Sequence, residues 1–69
     1  MKKRSVTIAG HATSVTLEDE FWEALGEIAQ ARGQSLNQII TEIDAERSGG
    51  NLSSAIRVFV LRAVRESTP

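Results

Sequence analysis

Over the first seventeen residues branched aliphatics alternate with small polar residues, and one phrase is written twice, Ser-Val-Thr-Ile at 5–8 and Ser-Val-Thr-Leu at 14–17, nine positions apart. Val, Thr and Ile are stiff at the first side-chain torsion and suit extended backbone, so both copies read as strands. Nine is odd. In one uninterrupted strand Val6 and Ile8 would lie on the face opposite Val15 and Leu17, because successive residues alternate faces. A hairpin turning at Gly10-His11, with Val6 opposite Val15, Ile8 opposite Thr13 and Thr7 opposite Ser14, removes the conflict. Val6, Ile8, Val15 and Leu17 then share one face and Ser5, Thr7, Ala9, Ala12, Ser14 and Thr16 the other, with Gly10 supplying positive φ. A bulge at Gly10 in one long strand corrects the parity equally well, and both readings stay open.

After Leu17 the period becomes helical. Phe21, Leu25 and Ile28, with Trp22 and Ala29 alongside, form a stripe over 18–32; Glu18, Asp19 and Glu20 suit the positive end of a helix dipole, and Gly33 ends the helix. Ser35 is a candidate N-cap for a second helix over 35–47, with Leu36, Ile39, Ile40 and Ile43 as its stripe and Ser48-Gly49-Gly50 as its break. A third helix over 52–65, capped by Asn51 or Ser53, places Leu52, Ile56, Phe59, Val60 and Ala63 on one face and Arg57, Arg62 and Arg65 on the other, before Ser67-Thr68-Pro69 frays. Val58 and Leu61 fall on the arginine side. They are candidates for a second interface, set against the plainer reading of two singly exposed aliphatics.

Sixty-nine residues form one small domain with a modest core, and the absence of cysteine leaves oligomerisation as the available staple. Net charge is −1, but the charges are segregated. Lys2, Lys3 and Arg4 stand at one end, eight acids against Arg32 alone fill residues 18–46, and Arg47, Arg57, Arg62 and Arg65 face Glu66 in the remainder. A basic tip beside a polar strand suits phosphate, whereas the acidic middle would have to face away from it. No apolar run of membrane-spanning or signal-peptide length follows the basic start, which gives a soluble, cytoplasmic expectation.

Chemistry for catalysis is missing from the pattern. His11 is the sole histidine, no cysteine or tyrosine occurs, and no nucleotide-binding glycine motif is present. Glu18, Asp19, Glu20, Glu23 and Glu27 read as a solvated helix face, and no second ligand stands near His11, so neither an enzyme nor a metal or other cofactor is expected.

The stretch 12–47, in which TSVTL runs into EDEFWEALGEIAQARGQSLNQIITEI, resembles the ribbon-helix-helix family of Arc/MetJ type. With RSVTIAGHATSVTLEDEFW before it and NLSSAIRVFVLRA after it, the chain looks like a subgroup of short bacterial members. The resemblance implies a mainly α fold with a short β-ribbon, an extra third helix, and an intertwined homodimer spanning 1–69 as a single domain. It implies a dimer core of Val15, Leu17, Phe21, Trp22, Leu25, Ile39, Ile40 and Ile43. Ala12, Ser14 and Thr16 occupy the positions that resemble the family's base readers, with Ser5 and Thr7 as a second candidate ribbon. Lys2, Lys3, Arg4 and the helix start Ser35-Leu36-Asn37 are the phosphate candidates. The readers depart from the pattern, being too short for bidentate base contacts. The implied function is a double-stranded-DNA-binding transcriptional regulator; the alternative is an adaptor or antitoxin that uses the same fold to hold another protein through the third helix.

Overall fold

In the computed structural model, which describes residues 1–47 and 49–66, the two phrases form an antiparallel hairpin, β1 (Lys2–Ile8) and β2 (His11–Leu17). The turn is Ala9-Gly10, with φ of +53° and +80°. Two consecutive positive φ values are what a two-residue hairpin turn of primed type requires, because its twist matches that of the strands. This corrects the register expected from sequence: Arg4 lies opposite Val15, Val6 opposite Thr13, Thr7 opposite Ala12 and Ile8 opposite His11. The turn sits one residue earlier than Gly10-His11, so the pairing slides by two. An even slide leaves every side chain on its expected face. Val6, Val15 and Leu17 are buried, and Ser5, Thr7, Ala12, Ser14 and Thr16 are exposed. The bulged alternative is not adopted.

Three helices cover the apolar face: α1 (Asp19–Ala31), α2 (Leu36–Glu46) and α3 (Leu52–Glu66). Each end has a local cause. At the start of α1 the Glu18 carbonyl accepts from the Phe21 and Trp22 amides, with Asp19 and Glu20 in the first turn. At its end Gln34 N–H donates to the Ala29 carbonyl and Gly33 N–H to that of Gln30, a Schellman closure that places Gly33 at φ +67°. A capping box starts α2, the Ser35 hydroxyl accepting from Gln38 N–H at 3.1 Å and the Gln38 amide oxygen from Ser35 N–H at 2.8 Å. Asn51 caps α3 by accepting from Ser54 N–H at 2.7 Å. Ser48, part of the expected break after α2, and Ser67-Thr68-Pro69, the expected frayed end, lie outside the described residues.

The core gathers Val15 and Leu17 from β2, Trp22, Leu25 and Ala29 from α1, Ile39, Ile40 and Ile43 from α2, and Ile56 and Val60 from α3. Leu17, Leu25, Ile39, Ile40 and Ile56 have no exposed surface; burying a side chain of this size stabilises by roughly 1.5–3 kcal/mol. Phe21 is half-buried against the same cluster. The eight residues that the resemblance assigns to a dimer core are thus covered or half-covered within one chain. α3 supplies much of that cover, since it packs on α1, α2 and β2, while α2 packs on β1. Arg57 ties α3 to the junction of β2 and α1, its Nε donating to a Glu18 carboxylate oxygen at 3.0 Å and its guanidinium lying 5.9 Å from the Phe21 ring centre.

Candidate nucleic-acid interface

With all helices on the apolar face, the other face of the hairpin is left to solvent. Across it the register sets Lys3 opposite Thr16, Ser5 opposite Ser14 and Thr7 opposite Ala12. All five base-facing candidates therefore share one exposed strip, and among them stands a single charge, Lys3. The surface is rich in hydroxyls that donate and accept, and it is narrow: two strands lie about 5 Å apart, well within a major groove of about 12 Å.

The remaining phosphate candidates are arranged less uniformly. Lys2 and Arg4 stand opposite Leu17 and Val15, hence on the helix-covered face, at its margin. The Arg4 guanidinium lies 5.3 Å from the centre of the Trp22 ring, a contact worth about 0.5–1 kcal/mol at an exposed site. Trp22, buried, also donates its indole N–H to the Lys2 carbonyl at 2.8 Å. The basic tip is thus anchored on α1 at two points.

Ser35-Leu36-Asn37 lies beside β1. The Asn37 amide accepts from Thr7 N–H at 2.9 Å and donates to the Thr7 carbonyl at 2.8 Å, so one side chain satisfies the backbone of a strand residue as a neighbouring strand would. The Asn37 side chain is therefore spent on β1. Ser35 N–H and Gln38 N–H are taken by the capping box, and among the described residues the N–H groups of Leu36 and Asn37 meet no acceptor. Such free donors, at the positive end of the α2 dipole, are what an anionic oxygen binds.

The two-residue turn also sets which backbone groups point outward. With Ile8 and His11 as the closing hydrogen-bonded pair, the outward groups belong to Lys3, Ser5 and Thr7 on β1 and to Ala12, Ser14 and Thr16 on β2. The β1 edge is held at Thr7. Among the described residues no hydrogen bond reaches the outward groups of Ala12, Ser14 or Thr16.

Glu18, where the hairpin enters α1, is held below the usual carboxylate range, first by its own backbone N–H and then by the Arg57 hydrogen bond. Among the described residues, no group of three His, Asp or Glu side chains is placed to hold a metal ion, and no helix is long and apolar enough to cross a membrane. The Asn37–Thr7 clamp and the Arg4–Trp22 contact carried no signal in the sequence. The turn position did: Ala-Gly preceding a polar strand fits a primed turn as well as Gly-His does.

A family model described as a ribbon-helix-helix domain matches residues 1–64. No curated protein and no solved structure matches the chain.

Proposed function

Because the chain belongs to the ribbon-helix-helix family, we propose that it is a homodimeric, DNA-binding transcriptional regulator of the cytoplasm whose exposed hairpin face enters the major groove. The observation that carries this reading is the strip of Lys3, Ser5, Thr7, Ala12, Ser14 and Thr16 on the one face that no helix covers. Two copies join through their β2 edges, whose outward backbone groups are open and self-complementary in an antiparallel pair. The resulting sheet has β2 and its symmetry mate at the centre and β1 strands outside. Four strands span about 14 Å, more than the groove admits, so the central pair enters and the flanking strands ride at the rim. Ala12, Ser14 and Thr16 then face bases, while Lys3 and the amides of Leu36 and Asn37 face phosphate. Short hydroxyl readers give single hydrogen bonds, so much of the affinity is electrostatic and sequence discrimination is limited.

Fluorescence anisotropy with duplex DNA at several salt concentrations tests this function. Binding is expected at low salt and falls linearly in log affinity against log salt; absence of binding, or indifference to salt, refutes it. The second reading, an adaptor or antitoxin built on the same fold, draws support from the exposure of Val58 and Leu61 on α3. No catalytic role is part of either reading.

A further inference from the structure

The DNA-binding reading brings two places to one duplex, the exposed strip of the hairpin and the start of α2, and a single side chain joins them. Thr7 stands in the strip opposite Ala12. Its N–H donates to the Asn37 amide oxygen at 2.9 Å, and its carbonyl accepts from the Asn37 amide nitrogen at 2.8 Å. Among the described residues no other hydrogen bond joins α2 to the hairpin.

Each of the two parts is rigid within itself. The hairpin is paired along its length, from Lys2 opposite Leu17 to Ile8 opposite His11. The first turn of α2 is closed by its capping box and by the Thr41 hydroxyl, which donates to the Asn37 carbonyl at 2.7 Å. What remains to be fixed is the placement of one part against the other. Packing of α2 on β1 limits their separation, but apolar contact is non-directional and leaves a helix free to slide or turn on a sheet. Two hydrogen bonds to one residue, both made by one planar amide group, oppose both motions. The clamp is exposed, so it adds nothing to the core. Its effect is alignment.

Asn37 turns its own backbone N–H outward with that of Leu36 while its side chain is spent on Thr7. We propose that Asn37 is a positioning residue for DNA. Its side chain sets the distance and angle between the strip, whose β2 half meets base edges, and the amides of Leu36 and Asn37, which meet phosphate, so that both engage one duplex at once. A binding group has to be held within about 0.5 Å of its productive place, and side chains behind it do the holding. That role rests on the DNA-binding reading and supplies the residue that aligns its two parts.

The test uses the full chain, duplex DNA and three variants. Asn37→Ala removes both hydrogen bonds. Asn37→Ser, the second route should the alanine variant fold poorly, leaves a polar side chain too short to bridge both Thr7 groups. Ile56→Val thins the buried core on α3 and leaves the clamp in place. In fluorescence anisotropy the Asn37 variants are expected to bind about tenfold or more weakly, whereas Ile56→Val stays within about twofold of the unsubstituted chain. In amide chemical-shift titrations taken to saturation, the Leu36 shift is expected to shrink in the Asn37 variants while the Ser14 and Thr16 shifts persist. A merely structural role would leave the Leu36 shift whole in the folded molecules. Hydrogen exchange at the Thr7 amide is expected to quicken about tenfold or more once its acceptor is gone. Affinity or a Leu36 shift untouched in the Asn37 variants, an equal loss in Ile56→Val, or unchanged exchange at Thr7 overturns the proposal. If the unsubstituted chain binds DNA and the Asn37 variants bind as well, the positioning role alone falls; if the unsubstituted chain does not bind, the DNA-binding reading falls with it.

Discussion

The two edges of the hairpin are built from nearly the same words and finished differently. β1 brings Lys2, Lys3 and Arg4, and the Asn37 amide on the outward groups of Thr7. β2 presents Ala12, Ser14 and Thr16 without a charge, a proline or a covering side chain. An exposed strand edge invites another strand, and charges and side-chain covers are the usual ways of closing it. One edge is clamped at Thr7 and lined with charge, and the other carries neither clamp nor charge. The comparison shows how a repeated phrase acquires two roles: the copies share a face toward the core and a face toward solvent, and the difference lies in what each meets sideways.

Breaking the open edge has the largest expected effect. Ser14→Pro removes an outward N–H that the single chain does not use, and proline is tolerated at such an edge position. The monomer is expected to stay folded by circular dichroism while the dimer weakens by about tenfold or more in light scattering, each lost strand–strand hydrogen bond being worth roughly 1 kcal/mol and the two-fold axis doubling the loss. Unaltered association would mean that β2 is not where copies meet.

Opening the closed edge comes next. Asn37→Ala deletes both hydrogen bonds to Thr7 and is expected to lower unfolding free energy by about 1–2 kcal/mol in urea titration. It also frees the β1 edge, so an increase in higher-order species by light scattering is expected, whereas an unchanged urea midpoint would show the clamp to be idle.

A smaller effect, of opposite sign, lies at the turn between the edges. Ala9 sits at φ +53°, a region that costs a non-glycine residue about 1–2 kcal/mol and that asparagine enters more readily. Ala9→Asn is expected to stabilise by about 0.5–1 kcal/mol, read as a rise of several degrees in Tm. A fall in Tm would contradict the assigned turn.

The smallest effect is in acid. Since folding holds the Glu18 carboxyl below its ordinary value, the folded state binds fewer protons there than the unfolded chain. That contribution is present above the ordinary glutamate value and is lost as pH falls through the lowered one. Glu18→Gln is expected to flatten the acid limb of a Tm-against-pH curve and to leave its neutral plateau little changed, because the Arg57 pair is partly exposed. An acid limb as steep as that of the unsubstituted protein would contradict this.

What was legible in the sequence follows the range of the forces. Helix extents came from periodicity and caps within a few residues of one another, such as Ser35 with Gln38, Gly33 after Arg32 and Asn51 before Leu52. The facial division of the strands came from parity alone, and it survived a register error because that error was even. The turn position was ambiguous, since Ala9-Gly10 and Gly10-His11 each offer one glycine and each place one other residue at positive φ. The Asn37–Thr7 clamp joins residues 30 apart and the Glu18–Arg57 pair residues 39 apart. Neither leaves a periodic mark. Nor does the sequence tell how far one chain covers its own core, which depends on α3 lying across β2, α1 and α2.

The central claim, that the uncovered hairpin face meets DNA, is tested most directly by an amide chemical-shift titration of the labelled protein with duplex DNA. The largest shifts are expected at Lys3, Ser5, Thr7, Ala12, Ser14 and Thr16, with smaller ones at Leu36 and Asn37 and little change on the outer faces of α1 and α3. Shifts concentrated on α1 or α3, or no shifts at low salt, would contradict the account.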